Sequence, residues 1–177
     1  MRISLIVDAL AVADGGDGML DAALDAGFTR HPVTVVGPTG IPIQAAIAVQ
    51  GDSAIIETAL ACGLGALPDG VADPLGATSL GAGQLIRAAL ENGCRKIVIG
   101  VGGSACTDGG AGLLVGLGAR LRGSDGVDLA LGGGALTLLC AMSRHDDVDF
   151  PVELSGDGSF EAAADLALGL AFLGASF

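Results

Sequence analysis

The sequence predicts an α/β protein with a mixed sheet flanked by helices. Three observations carry this. Short apolar runs alternate with helix-period segments through the middle of the chain, the order of strand–helix–strand units with parallel pairing. Two neighbouring runs, 43–49 and 54–57, flank Gly51-Asp52, the signal of an antiparallel hairpin. Glycine-aspartate loops sit where strands should hand over to helices.

The elements follow in order. Residues 3–7 form a short apolar run ended by Asp8 and read as a buried strand. Ala13-Asp14-Gly15-Gly16-Asp17-Gly18 is a turn, with Asp17 placed to cap a helix over 19–25 that Gly27 ends. Residues 33–36 read as a strand and Gly37-Pro38-Thr39-Gly40 as a turn. After the hairpin, 58–62 is a helical turn stopped by Gly63, and 68–74 is a loop. Leu80, Leu85, Ile86, Ala89 and Leu90 recur near helical period over 79–92, with Gly93 as terminator. Residues 96–101 read as a fully buried strand and 108–118 as a helix. An extended excursion runs around Gly123-Ser124-Asp125-Gly126. Gly132-Gly133-Gly134 precedes a helix over 135–142, then a strand over 148–154 and a last helix over 160–173. These elements divide into a region 1–150 that carries both glycine-aspartate loops and a C-terminal strand and helix, 151–177, with no assignment of its own.

Composition narrows the function classes. The 177 residues are 51% apolar and 16% charged, enough for a real core and incompatible with a wholly disordered chain. The 31 glycines show no three-residue period, which excludes collagen. Twenty acidic and eight basic side chains give a net charge of −12. Such a surface repels nucleic acid and anionic lipid, and the absence of Trp and Tyr removes the usual base-stacking platforms. Cys62, Cys94, Cys106 and Cys140 form no C-x-x-C pair, so reduced thiols in the cytoplasm fit better than disulfides or zinc. No signal peptide is expected at the N-terminus, and the apolar stretch 166–177 is too short to span a bilayer.

Two loops of like composition carry the chemistry: Asp14-Gly15-Gly16-Asp17-Gly18, and residues 102–110 with Asp108 inside. Glycine lets backbone N–H groups approach a ligand and form a concave nest, and a following helix N-terminus adds partial positive charge. That suits phosphate or carboxylate. The aspartates add a Mg²⁺ ligand or a base for a hydroxyl. The plainer reading of each loop is a tight strand-to-helix turn with a capping aspartate. Glu57 has two readings as well, a site carboxylate or a strand-end carboxylate bonded to backbone. No G-x-x-x-x-G-K-[ST] is present, and Lys96, the sole lysine, precedes its strand. His31 and His145 read as surface residues, and Cys106, with no basic neighbour to favour its thiolate, as a small filler.

Five segments, taken in order, resemble the motifs of a single family. Ala13 to Gly18 resembles its ADGG-[ED]-G. Val36-Gly37-Pro38-Thr39-Gly40 resembles its glycine-proline turn, and Ile56-Glu57-Thr58-Ala59 followed by Gly63-Leu64 its I-E-x-A…G-L stretch. Residues 77–86 resemble T-T-x-G-x-G-E-L-I, and 99–112 resemble I-G-x-G-G-S-A-T-N-D-G-G-A-G, with Cys106-Thr107 in place of Thr-Asn. On these five segments the chain resembles the bacterial-type glycerate kinases.

The resemblance implies phosphorylation of D-glycerate with ATP and Mg²⁺, in an active site between two α/β domains, one flavodoxin-like. It implies Asp14 and Asp108 as catalytic carboxylates. Gly15, Gly16, Asp17, Gly102, Gly103, Ser104 and Gly109 would bind substrate or phosphate, with no particular metal ligand assigned. The family's lysine-bearing P-D-S-F-K-G-S segment and long helix before ADGG have no counterpart between Asp8 and Ala13, and the family extends well beyond Met142. The expectation is therefore a shortened form lacking much of the flavodoxin-like domain. It would face a small-molecule partner, neither nucleic acid nor membrane, and could pair as a homodimer through apolar surface left exposed. Two other readings stand beside it, a shortened non-catalytic remnant and a small α/β module that binds an anionic metabolite.

Overall fold

A computed structural model describes residues 16–144 and 153–155. The expected strand over 3–7 and helix over 160–173 lie outside the described residues. A five-stranded mixed sheet organises the rest, in the order β1 (Thr29–Val36), β2 (Pro42–Gln50), β3 (Ser53–Glu57), β4 (Lys96–Gly100) and, last in the chain, β7 (Glu153–Ser155). Strands β1, β2 and β3 run antiparallel, while β3–β4 and β4–β7 are parallel. Gln50 pairs with Ser53, so Gly51-Asp52 is the two-residue hairpin loop that the sequence predicts, with Gly51 at φ 61°.

Both faces of the sheet are covered, which explains why Ala45, Ala46, Ile47 and Ala48 are all buried rather than alternating. On one face, Ala45, Ile47, Ala54, Ile56, Ile97 and Ile99 pack with Leu85, Ile86 and Ala89 of α3 (Leu80–Glu91) and with Leu113, Leu114 and Leu117. On the other, Ala46 and Ala48 meet Leu20 and Ala23 of α1 (Met19–Asp25). Each fully buried Ile or Leu contributes about 2 kcal/mol to this core. Helix α3 is amphipathic as predicted, and Gly93 past its end has φ 86°.

Helix α4 (Ala111–Gly116) crosses α3 at backbone contact. A Cβ on Gly83 would stand 2.1 Å from the Leu113 carbonyl oxygen, and one on Gly116 would stand 2.6 Å from that of Leu80. No larger residue fits this crossing.

The segment after Gly132 departs from expectation. Instead of a helix over 135–142, a 3₁₀ stretch, Gly133–Leu138, leads into β6 (Ala141–Arg144). That strand pairs antiparallel with β5 (Ala119–Arg122) in a second, two-stranded sheet. Extended pairing with β5 satisfies the backbone of β6, and this long-range partner cannot be read from local periodicity.

Candidate anion-binding site at the carboxyl ends of β3 and β4

Glu57 and Gly100 are register partners at the ends of the parallel pair β3–β4. The chain leaves β3 into α2 (Ala59–Cys62) and leaves β4 into the loop 101–110. Ligands of α/β sheets gather at such strand ends. Four bonds hold the loop against α2. The Thr58 N–H and hydroxyl both donate to the Gly100 carbonyl, at 3.1 and 2.9 Å. The Leu64 N–H donates to the Gly103 carbonyl and the Ala105 N–H to the Cys62 carbonyl, each at 2.8 Å, forming an antiparallel bridge between Gly63 and Ser104.

Glu57 fixes the other loop. Its carboxylate is 4% exposed and accepts from the Gly18 N–H at 3.2 Å and the Leu20 N–H at 2.9 Å. Of the two readings of Glu57, the backbone-bonded carboxylate matches this geometry. Glu57 thereby supplies the cap that the sequence assigned to Asp17. The capping position is Gly18, at φ 92°, with no side-chain cap of its own. Released from capping, Asp17 is exposed, and its Oδ1 lies 3.5 Å from where a Cβ on Gly103 would stand. The two glycine-aspartate loops thus meet at Asp17 and Gly103.

Asp108 is 1% exposed and tied to two helix starts. Its Oδ2 accepts from the Ser79 N–H at 2.8 Å, the Ser79 hydroxyl at 3.0 Å, the Thr78 hydroxyl at 3.2 Å and the Gly112 N–H at 3.1 Å. Its Oδ1 accepts from the Gly110 N–H at 3.3 Å. One carboxylate therefore serves the N-termini of α3 and α4 together, where the partial positive charge of both helices favours an anion. This uses most of the acceptor capacity of Asp108 inside the fold.

A cavity of about 260 Å³ opens beside this clamp, lined among others by Thr58, Cys62, Ser104, Cys106, Asp108 and Gly110. Gly109 lines it, and Gly103 adjoins the lining residue Ser104 in the chain; both glycines are exposed. Gly103, at φ 61°, and Gly109, at φ 56°, adopt the left-handed conformation that glycine takes without steric cost. Among the described residues, the N–H groups of Gly103, Ser104 and Gly109 donate to no protein acceptor. No Lys or Arg lines this cavity. Lys96 starts β4 at the far end of the sheet, paired with Asp52 at 3.5 Å, and Arg120 and Arg122 are both engaged by Asp128. Attraction for an anion therefore comes from the open backbone amides.

Two thiols share the cavity wall. The Cys62 thiol is buried and within 3.4 Å of the Thr58 carbonyl. A hydrogen bond with Cys106 raises it, as do burial and the neighbouring Cys106 and Asp108 charges. That same hydrogen bond draws the Cys106 thiol below its ordinary value, against the opposing effects of burial and Asp108.

Of the residues singled out in the sequence, Gly16, Asp17, Gly102, Gly103, Ser104, Asp108 and Gly109 belong to these converging loops, while Asp14 and Gly15 lie outside the described residues. The sequence assigns Thr78, Ser79 and Cys62 no site role, although 77–86 falls in a family-like segment. The Thr78-Ser79 pair just before α3 carries a helix-start signal, but its acceptor Asp108 is 29 residues from Ser79.

The Glycerate kinase family profile matches residues 2–171. The chain is 44% identical over 136 residues to a glycerate kinase of Bacillus subtilis (strain 168), covering 75% of this chain and 36% of that one. It is 46% identical over 132 residues to a glycerate 2-kinase of Escherichia coli (strain K12), covering 72% and 34%. A crystal structure of a candidate glycerate kinase 2 from Salmonella typhimurium LT2 superposes with a TM-score of 0.77 at 36% identity, covering 93% of this chain and 51% of that one. The chain thus spans about a third of the length of the curated relatives it matches. The profile match over nearly the whole chain, the identities to these relatives and the shared fold place the chain in the glycerate kinase family.

Proposed function

We propose that this chain carries, on its two glycine-aspartate loops, a kinase site that transfers the γ-phosphoryl group of ATP to a hydroxyl of D-glycerate. The observation that carries the reading is the meeting of an exposed carboxylate, Asp17, with the open amide loop at Gly103. Phosphoryl transfer demands positioning and charge neutralisation above all. In this reading the N–H groups of Gly102, Gly103, Ser104 and Gly109 hold phosphate or the glycerate carboxylate. Asp17 takes the open-carboxylate role toward the reacting hydroxyl or a metal ion, and by family resemblance alone Asp14 shares the catalytic role and Gly15 and Gly16 the binding of substrate or phosphate.

Asp108 acts differently from a carboxylate that touches substrate. Its oxygens hold the starts of α3 and α4, so it positions the amide loop. The donor set also bears on Mg²⁺. No group of three or more His, Cys, Asp and Glu side chains able to hold a metal occurs among the described residues. Mg²⁺ commonly binds through one or two carboxylates plus substrate phosphates, and Asp17 fits that mode. When bound, the ion neutralises charge developing on the transferred phosphoryl group.

Two finer points accompany the reading. Among the described residues no helix is long and apolar enough to cross a membrane, and the four unpaired thiols suit a cytoplasmic setting. Leu64, Val71 and Leu75 are 58%, 67% and 70% exposed, and a second copy of the chain could cover them. Sedimentation velocity reads this directly, and a monomer at all concentrations would refute the dimer. The function itself is tested by phosphoglycerate formation from ATP and D-glycerate. Product that depends on both substrates supports the proposal, and none at any enzyme concentration contradicts it.

A further inference from the structure

We propose that Cys62 and Cys106 form a redox-active dithiol in the wall of the cavity beside Asp108, oxidised to a disulfide by a hydroperoxide. The inference stands on the geometry of the pair and is independent of what the cavity binds. The backbones of the two segments are paired. Gly63 bridges Ser104, and the Ala105 N–H donates to the Cys62 carbonyl at 2.8 Å. Cys62 precedes Gly63 and Cys106 lies two residues past Ser104, so both fall on the same side of that antiparallel bridge, and both line the same cavity. Cys106 packs at the edge of the core cluster that contains Cys62. Neither residue belongs to a C-x-x-C sequence motif; 44 positions separate them, and the fold alone brings them together.

Their surroundings divide the labour. Cys106 is partly exposed where Cys62 is buried, so it is the sulfur that a hydroperoxide reaches and the attacking one. Cys62 is 2% exposed and held protonated, so it is shielded from direct oxidation and serves as the resolving thiol. In the first step the Cys106 thiolate attacks one peroxide oxygen. The O–O bond breaks, hydroxide leaves and takes a proton to become water, and Cys106 is a sulfenic acid. With the thiolate charge gone, one of the influences that keep Cys62 protonated is removed. The Cys62 sulfur then attacks the sulfenic sulfur, the S–O bond breaks, and the hydroxyl leaves with the Cys62 proton as water. Two thiols are oxidised by two electrons in total, and one hydroperoxide is reduced to two water molecules when it is H₂O₂.

The test uses the whole chain with Cys140, the exposed thiol, replaced as Cys140→Ser. Hydrogen peroxide is added in small stoichiometric excess, free thiols are counted under denaturing conditions, and non-reduced peptides are mapped by mass spectrometry. The expected result is a fall from three free thiols to one, with a peptide joining Cys62 to Cys106 that dithiothreitol cleaves. Adding Cys62→Ser to the same background should stop the reaction at a trappable Cys106 sulfenic acid. Accumulation of sulfenic or sulfinic acid on Cys106 with Cys62 still reduced in the parent overturns the proposal, as does a disulfide that involves Cys94.

Discussion

Ser79 and Asp108 are joined twice: the Ser79 N–H and its hydroxyl both donate to Asp108 Oδ2, at 2.8 and 3.0 Å. The Ser79 oxygen in turn accepts from the Leu113 N–H at 2.9 Å. The start of α3, the signature loop and α4 are therefore one hydrogen-bonded unit around a carboxylate that is 1% exposed. A family signature that reads as a site motif is, at its aspartate, first a piece of folding machinery.

Replacing that carboxylate strands several buried donors. Asp108→Ala should destabilise the chain by about 3 kcal/mol, the cost of leaving charge-assisted donors unsatisfied. Urea denaturation should show a lower midpoint with an unchanged slope. Asp108→Asn retains one carbonyl acceptor and should lose about half as much. Equal stability of wild type and the alanine variant would refute the clamp.

Glu57 performs the same service for α1, across the 37 positions that separate it from Leu20. Glu57→Ala should cost about 1–2 kcal/mol, as for loss of a good helix cap. Amide exchange at Gly18 and Leu20 should quicken more than exchange in β2, because the loss is local.

The α3–α4 crossing depends on absent side chains. Gly83→Ala places a Cβ 2.1 Å from the Leu113 carbonyl oxygen and should cost about 3 kcal/mol. Gly65→Ala, with open space around it, is the control and should change stability by less than about 0.5 kcal/mol.

One pH effect has a definite sign. Arg120 donates to Asp128 Oδ2 at 2.6 Å, and this bond, with help from Arg122, draws Asp128 below its ordinary value of 3.8. The favourable contribution is present above the unfolded value and is lost as pH falls through the folded one. Arg120→Ala should move the Asp128 titration upward toward 3.8, read by carboxyl-carbon NMR, and 1 M salt should shrink the difference. A titration unmoved by Arg120→Ala would contradict the pairing.

Much of this was legible in the sequence, and the failures share a cause. The Gly51-Asp52 hairpin, the α3 periodicity and the buried run of β4 each declare themselves within a dozen residues. What escaped is set by distant partners. Glu57, rather than Asp17, caps α1. Residues 141–144 are a strand because β5 lies beside them. The loop composition signalled an anion site, but only the fold shows Asp108 turned into the protein and Asp17 left open beside Gly103.

The most direct test of the account compares wild type with Asp17→Asn in ATP- and D-glycerate-dependent phosphoglycerate formation. Asp17 is exposed and caps nothing, so the variant should keep its thermal midpoint. The account predicts turnover by wild type and a loss of about 100-fold or more in the variant, the scale of a lost catalytic carboxylate. No glycerate-dependent product from wild type, or equal rates for the two proteins, would contradict it.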